Sequence, residues 1–153
     1  MGLFFGSEEV RVDDKGRFAI PARYRSLLAG ADEDTFYVMA GLDGEVLAIP
    51  KTYYEALEGR RESGDPMNPD HRTGNEAYSD VEPATLDSQG RLSLPASARV
   101  EFNITGSLVI AGSKEWLTIW NKDVFLARKA KDRRKQFEAA AQRKLRSVTP
   151  ENG

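Results

Sequence analysis

Residues 10–28 and 84–102 carry one pattern twice. The first stretch reads VRVDDKGRFAIPARYRSLL and the second, 74 positions on, ATLDSQGRLSLPASARVEF. Asp13, Gly16 and Arg17 fall on Asp87, Gly90 and Arg91, and Pro21, Ala22 and Arg25 fall on Pro95, Ala96 and Arg99. Upstream, Tyr78 falls on Phe4 and Asp80 on Gly6. Downstream, YVMAG at 37–41 returns as LVIAG at 108–112, a shift of 71, and VLAIP at 46–50 as WLTIW at 116–120, a shift of 70. A repeat of this size limits the fold more than composition does. The first three elements of a copy span only about forty residues, at the edge of what buries a core unaided. The expectation is one β-rich domain with an internal pseudo-twofold, in which each hairpin is completed by its twin.

Local chemistry assigns the elements. Val10 and Val12, then Phe18 and Ile20, alternate with outward residues as half-buried strands do. Asp13-Asp14-Lys15-Gly16 breaks them: Asp folds its carboxylate onto nearby N–H groups, and Gly accepts a positive φ. Pro21 suits the first turn of a helix, which Tyr24, Leu27 and Leu28 give an apolar side. Residues 36–40 and 45–49 read as a hairpin around Gly41 and Gly44, stopped by Pro50. Thr52 and Glu55 stand at capping-box spacing and predict a helix carrying Tyr53, Tyr54 and Leu57. Residues 60–80 read as a polar linker. Asn121 is a candidate N-cap for a long helix reaching about Arg146.

Charge is uneven along the chain. The net value of −2 hides +3 over residues 10–28, −9 over residues 29–83 and +7 over residues 122–146, while residues 84–102 sum to zero. Polarised segments speak of partners rather than of fold. The basic helix suits DNA phosphates, an acidic neighbouring surface, or plain solvent. Residues Ala130, Phe137, Ala141 and Leu145 lie near one face of it. There is no cysteine, no apolar run of membrane-span length and no signal-peptide pattern, and Gly6 breaks the myristoylation pattern. A cytoplasmic protein is expected.

The chemistry-bearing residues cluster at the two turns. Arg17 and Arg91 each follow a turn Gly. Such a guanidinium can take a phosphate or pair with guanine O6 and N7, or it can fold back onto Asp13 or Asp87 to hold the turn. Lys15 is a flexible charge suited to phosphate, and Gln89 can read adenine or stay solvated. Arg11, Arg23, Arg25 and Arg99 can extend the positive surface or stand solvated. Asp13, Gly16 and Pro21, with Asp87, Gly90 and Pro95, are read as shaping the loops. His71, beside Asp65, Asp70 and Glu76, matches no metal-site spacing, so no metal and no cofactor is expected. No nucleophile–base pair or phosphate-cradling glycine loop is visible, so no enzyme is expected. Trp116 and Trp120 are read as packing residues of the core or a subunit interface.

Phe4-x-Gly6, Asp13-Asp-Lys-Gly-Arg17, Ile20-Pro21-Ala22, Asp87-Ser-Gln-Gly-Arg91 and Leu94-Pro95-Ala96 together resemble the MraZ family of bacterial transcriptional regulators. That family carries two tandem modules of the kind found in AbrB and SpoVT regulators and MazE-type antitoxins. The resemblance implies a β-dominated α+β fold, an intertwined double-split β-barrel of swapped hairpins with capping helices. It implies modules at residues 4–59 and 78–128, a linker at 60–77 and a basic helix and tail at 129–153. It further implies a nucleoid-associated, ring-like homo-oligomer whose DxxxR loops bind double-stranded DNA, at direct repeats in the promoter of its own cell-division and cell-wall operon. The alternative is a scaffold or antitoxin-like partner-binding module. The family's Arg- and Phe-rich helix ahead of the second DxxxR, ending in Phe-Phe-Ser-Gly, is replaced here by the polar residues 71–80. With Gln89 for Lys15 and a neutral second stretch, the first copy is expected to be the stronger DNA contact.

Overall fold

A computed structural model describes residues 2–59, 67–68 and 80–148. His71, Tyr78 and most of the polar linker lie outside the described residues. The chain divides into two units, Met1–Asn121 and Lys122–Gly153.

The first unit runs β1 (Ser7–Arg11), β2 (Arg17–Ala19), α1 (Ala22–Gly30), β3 (Thr35–Ala40), β4 (Val46–Pro50) and α2 (Lys51–Glu58). It then runs β5 (Glu82–Thr85), β6 (Arg91–Ser93), α3 (Ala96–Glu101), β7 (Ser107–Gly112) and β8 (Leu117–Trp120). Pro21 and Pro95 sit immediately before α1 and α3 at φ −51° and −57°. The ring presets the backbone angle with which a helix opens. Past the other ends of these helices, Asp32 and Asn103 take positive φ, 51° and 50°. Asn and Asp tolerate that region better than most residues.

The strands form a six-stranded sheet, ordered β1-β7-β8-β4-β3-β5, and a separate ribbon of β2 and β6, with every pairing antiparallel. Written by equivalent strands of the repeat, the six-stranded order is a palindrome. β1 of the first copy pairs with β7 of the second, and β5 of the second with β3 of the first. At the centre, Leu47 opposes Thr118; burial matches Val46 with Leu117 and Ala48 with Ile119, a shift of 71 where the sequence suggests 70, and under it the Leu47–Thr118 pair maps onto itself. Within a copy, β3–β4 and β7–β8 are hairpins; among the described residues the strands flanking each DxxxR turn pair with strands of the other copy instead of with each other, in a β-dominated α+β fold. Among the described residues, hydrogen bonding leaves β1 and β5 as sheet edges and does not join the sheet and ribbon into one closed ladder.

Phe18, Ile20, Leu92 and Leu94 send their side chains inward to meet Phe36, Leu108, Ile110 and Leu117, all at most 2% exposed. Phe4 forms an isolated bridge to Lys114 and stacks edge-on against Tyr24, with ring centroids 5.6 Å apart. The Tyr24 hydroxyl lies 2.7 Å from the Phe5 carbonyl oxygen and 2.9 Å from that of Gly6. Burial is the main influence raising the Tyr24 pKa.

Thr52 does not cap α2. That helix opens at Lys51, directly after Pro50, with no side-chain cap. The Thr52 hydroxyl instead donates to Glu33 Oε2 at 2.6 Å. A carboxylate from another loop therefore meets the start of the helix, where negative charge is favoured. Trp120 is buried and its Nε1 donates to Thr118 Oγ1 at 2.8 Å, whereas Trp116 is half-buried with Tyr53 6.1 Å away.

The second unit contains α4, Lys122–Val148, two residues longer than the sequence suggests. Phe137 and Leu145 are exposed on it. Arg128 and Asp132 stand at i,i+4 with 3.6 Å between their charged atoms.

Candidate nucleic-acid interface

The two DxxxR turns have nearly the same geometry. In the first, Asp13 Oδ1 accepts the N–H groups of Lys15 and Arg17 at 3.0 and 2.8 Å. Asp13 Oδ2 takes Arg17 Nε at 2.6 Å. In the second, Asp87 Oδ1 accepts Gln89 and Arg91 N–H groups, each at 2.9 Å, and Oδ2 takes Arg91 Nε at 2.8 Å. Gly16 and Gly90 close the turns at φ +81° and +74°, each donating its N–H to the Asp carbonyl at 3.0 Å. An L side chain resists such φ values. The backbone N–H of Arg17 is the largest influence holding the Asp13 carboxyl below its usual range, with that arginine's side chain adding to it. Arg91 does the same to Asp87.

In the ribbon, Arg17 opposes Ser93, Phe18 opposes Leu92 and Ala19 opposes Arg91. Side chains alternate across a strand, and Phe18 and Leu92 point into the core. Arg17 and Arg91 therefore share the outward face as a diagonal pair, about 7–8 Å apart at the backbone. Each aspartate bonds Nε, which leaves the terminal guanidinium nitrogens for a ligand. The geometry is that of the fold-back reading, in which each Asp holds the Arg of its own turn.

Helix arginines cross between copies. Arg99, on α3 of the second copy, donates from Nη1 to the Asp14 carbonyl of the first turn at 3.1 Å. A Cβ at Gly16 would lie 2.8 Å from Arg99 Nε and 2.5 Å from the Leu94 carbonyl oxygen. Reciprocally, Arg25 on α1 of the first copy lies over the second turn, and a Cβ at Gly90 would be 2.6 Å from its Cδ. Lys15, Arg17 and Arg99 are thus gathered at one turn, and Gln89, Arg91 and Arg25 at the other. Arg23 is engaged elsewhere: it pairs with Glu8 at 3.6 Å and lies 4.7 Å over the Tyr24 ring. Arg11 is exposed on edge strand β1 and borders a groove with Thr105, Gly106 and Ser107.

Counting charge by stretches of sequence misses this crossing. Taken in space, the first turn with Arg99 has three cations against the two carboxylates of Asp13 and Asp14. The second with Arg25 has two against Asp87. The difference between the turns lies in their surroundings. Val12 donates its N–H to the Gly106 carbonyl at 3.0 Å, and Leu86 donates its own to that of Asp34 at 2.8 Å. Gly106 and Asp34 are therefore matching positions. Beside the second turn, Asp32, Glu33 and Asp34 line one groove with Asp87 and Gln89. Beside the first, the matching residues are Asn103, Ile104 and Gly106, none of them acidic. The acidic trio was visible in the sequence, but its neighbour could be known only from the pairing of β3 with β5.

Residues 79–148 match the family model of the MraZ protein, described as antitoxin-like. The Transcriptional regulator MraZ of Chlorobium phaeobacteroides (strain BS1) is 34% identical over 130 residues, covering 80% of this chain and 86% of that protein. This chain belongs to the MraZ family. The Transcriptional regulator MraZ of Nocardia farcinica (strain IFM 10152) is 33% identical over 124 residues, covering 80% of this chain and 84% of the relative. That of Mycolicibacterium smegmatis (strain ATCC 700084 / mc(2)155) is 28% identical over 147 residues, covering 95% and 99%. The family match takes in the second DxxxR turn and α4 of this MraZ-family chain. Among the described residues no group of His, Asp and Glu is placed to hold a metal ion, and no helix is long and apolar enough to cross a membrane.

Proposed function

We propose that this chain is a sequence-specific DNA-binding transcriptional regulator that presents its two DxxxR turns to the major groove. The observation that carries this reading is the diagonal placement of Arg17 and Arg91 on the outward face of one two-stranded ribbon, each held at Nε by its own aspartate. A two-stranded ribbon fits the major groove, and a guanidinium edge suits guanine O6 and N7. A spacing of about 7–8 Å between the arginines corresponds to about two base steps at roughly 3.4 Å each. Lys15 supplies a phosphate contact beside them, and Arg99 and Arg25 extend the positive surface there. The names of the relatives support regulation of transcription.

In this reading residues 4–59 and 78–128 are tandem modules, and sheet and ribbon together make the double-split barrel. The protein is a cytoplasmic, nucleoid-associated homo-oligomer, ring-like in arrangement. It acts on direct repeats in the promoter of its own cell-division and cell-wall operon. Joining several weak turns in one assembly gives avidity that no single turn has, which fits a chain of net charge −2. Fluorescence-anisotropy titration with the DNA upstream of the coding region, alongside a solution mass, tests the proposal. Arg17→Ala and Arg91→Ala should each weaken binding about tenfold or more and shallow the salt dependence by about one phosphate-equivalent where a phosphate contact is lost. Unchanged binding in the double variant would overturn it. Failure to shift DNA together with capture of a toxin-like protein would favour the antitoxin-like scaffold.

A further inference from the structure

We infer that Arg99 and Arg25 are positioning residues that act across the repeat: each shapes the DxxxR turn of the other copy, so both turns are built from both halves of the chain. The inference rests on the DNA-binding reading for its functional consequence, though not for its structural one. The geometry is reciprocal. Arg99 lies against Gly16 and bonds the Asp14 carbonyl at 3.1 Å, and Arg25 lies against Gly90. The 74-residue shift exchanges the two arginines and the two glycines. The backbone agrees, since Leu94 donates its N–H to the Gly16 carbonyl at 2.9 Å and Ile20 donates its own to that of Gly90 at 3.1 Å.

The two struts are not equal. Arg99 uses its guanidinium, whose Nε is buried without a partner among the described residues. A buried N–H is costly to leave unpaired, so the site accepts that cost while Nη1 is held on the turn. Arg25 contributes its stem, the closest approach to Gly90 being Cδ, and its side chain is more exposed. Arg99 is therefore the more specific support, and it serves the turn that lacks the neighbouring acidic trio.

Amide hydrogen exchange on the full-length chain reads the structural half without DNA. Arg99→Ala should speed exchange of Gly16 and Arg17 about tenfold and leave Gly90 and Arg91 unchanged. Arg25→Ala should do the reverse. Exchange that changes only within the substituted residue's own copy, or equally at both turns, overturns the inference. Arg25→Lys, which keeps an aliphatic stem and a charge, should restore the Gly90 pattern; Arg99→Lys, which lacks the planar fork, should restore Gly16 less well. These conservative variants keep the test decisive where an alanine variant unfolds. Double-substitution cycles on DNA affinity read the functional half. Arg99→Ala should couple to Arg17→Ala and add independently to Arg91→Ala. Coupling to Arg91→Ala instead overturns the inference. If Arg17→Ala leaves affinity unchanged, the DNA-binding reading fails, and the exchange result still decides whether the arginines act across the repeat.

Discussion

Phe18 stands directly opposite Leu92 across the β2–β6 ribbon, at the one pair there that the repeat maps onto itself. Both side chains are buried, at 1% and 0% exposure, so the position where the two copies meet is also where the arginine-bearing ribbon is seated on the core.

Phe18→Ala should lower stability by about 3–5 kcal/mol and Leu92→Ala by about 2–5 kcal/mol, the range for emptying a well-packed site. Denaturant unfolding measures both. At concentrations where the variants stay folded, DNA affinity should also fall, because the ribbon that carries Arg17 and Arg91 loses its footing. Affinity that holds while stability drops would separate the ribbon's seat from its function.

The turns should loosen in acid. Asp13 and Asp87 both have carboxyls lowered below the ordinary value of 3.8, so the stabilisation from their ionised forms is complete above that value. It is lost as pH falls through the lowered folded values. Amide exchange at Lys15, Arg17, Gln89 and Arg91, followed from pH 5 downward and corrected for intrinsic rates, should show protection falling only below about pH 4. Asp13→Asn should flatten the response at the first turn and leave the second unchanged.

Removing the acidic trio beside the second turn should strengthen DNA binding. Asp32 and Asp34 border the groove that holds Asp87 and Gln89. Charges exposed to solvent repel DNA most strongly at low salt. Asp34→Asn should raise affinity by about two- to fivefold at low ionic strength, with a smaller effect as salt rises. Thr105→Asp, which places a carboxylate beside the first turn, should lower it. Anisotropy titration at two salt concentrations distinguishes these outcomes from no effect.

Tyr24→Phe should cost about 1 kcal/mol or somewhat more, since a carbonyl in a half-buried site loses its hydroxyl donor. Thermal unfolding measures this. Phe4 keeps its edge-on ring contact in the variant, so the loss isolates the hydroxyl.

The repeat was readable from residues alone, and with it the hairpins β3–β4 and β7–β8, the prolines that start α1 and α3, and the inward set Phe18, Ile20, Leu92 and Leu94. Local preference and periodicity act within a few residues, which is why these survive in a string of letters. Glu33 at the start of α2 was not legible, because its partner Thr52 also offered a good local alternative in Glu55. The crossing of Arg25 and Arg99 was not legible either. Adjacent letters assign each arginine to its own copy, and only the pairing of β2 with β6 carries them over. For the same reason, net charge per stretch proved a poor guide to charge per turn.

The palindromic strand order makes the covalent link between the copies dispensable to their union. A chain cut between residues 59 and 80 is still joined through β1 with β7, β3 with β5, β4 with β8 and β2 with β6. The halves are interlocked partners rather than neighbours. Separately made fragments should therefore find each other, and two copies of one half could take each other's edge strands in the same way. One polypeptide here occupies the place of a dimer.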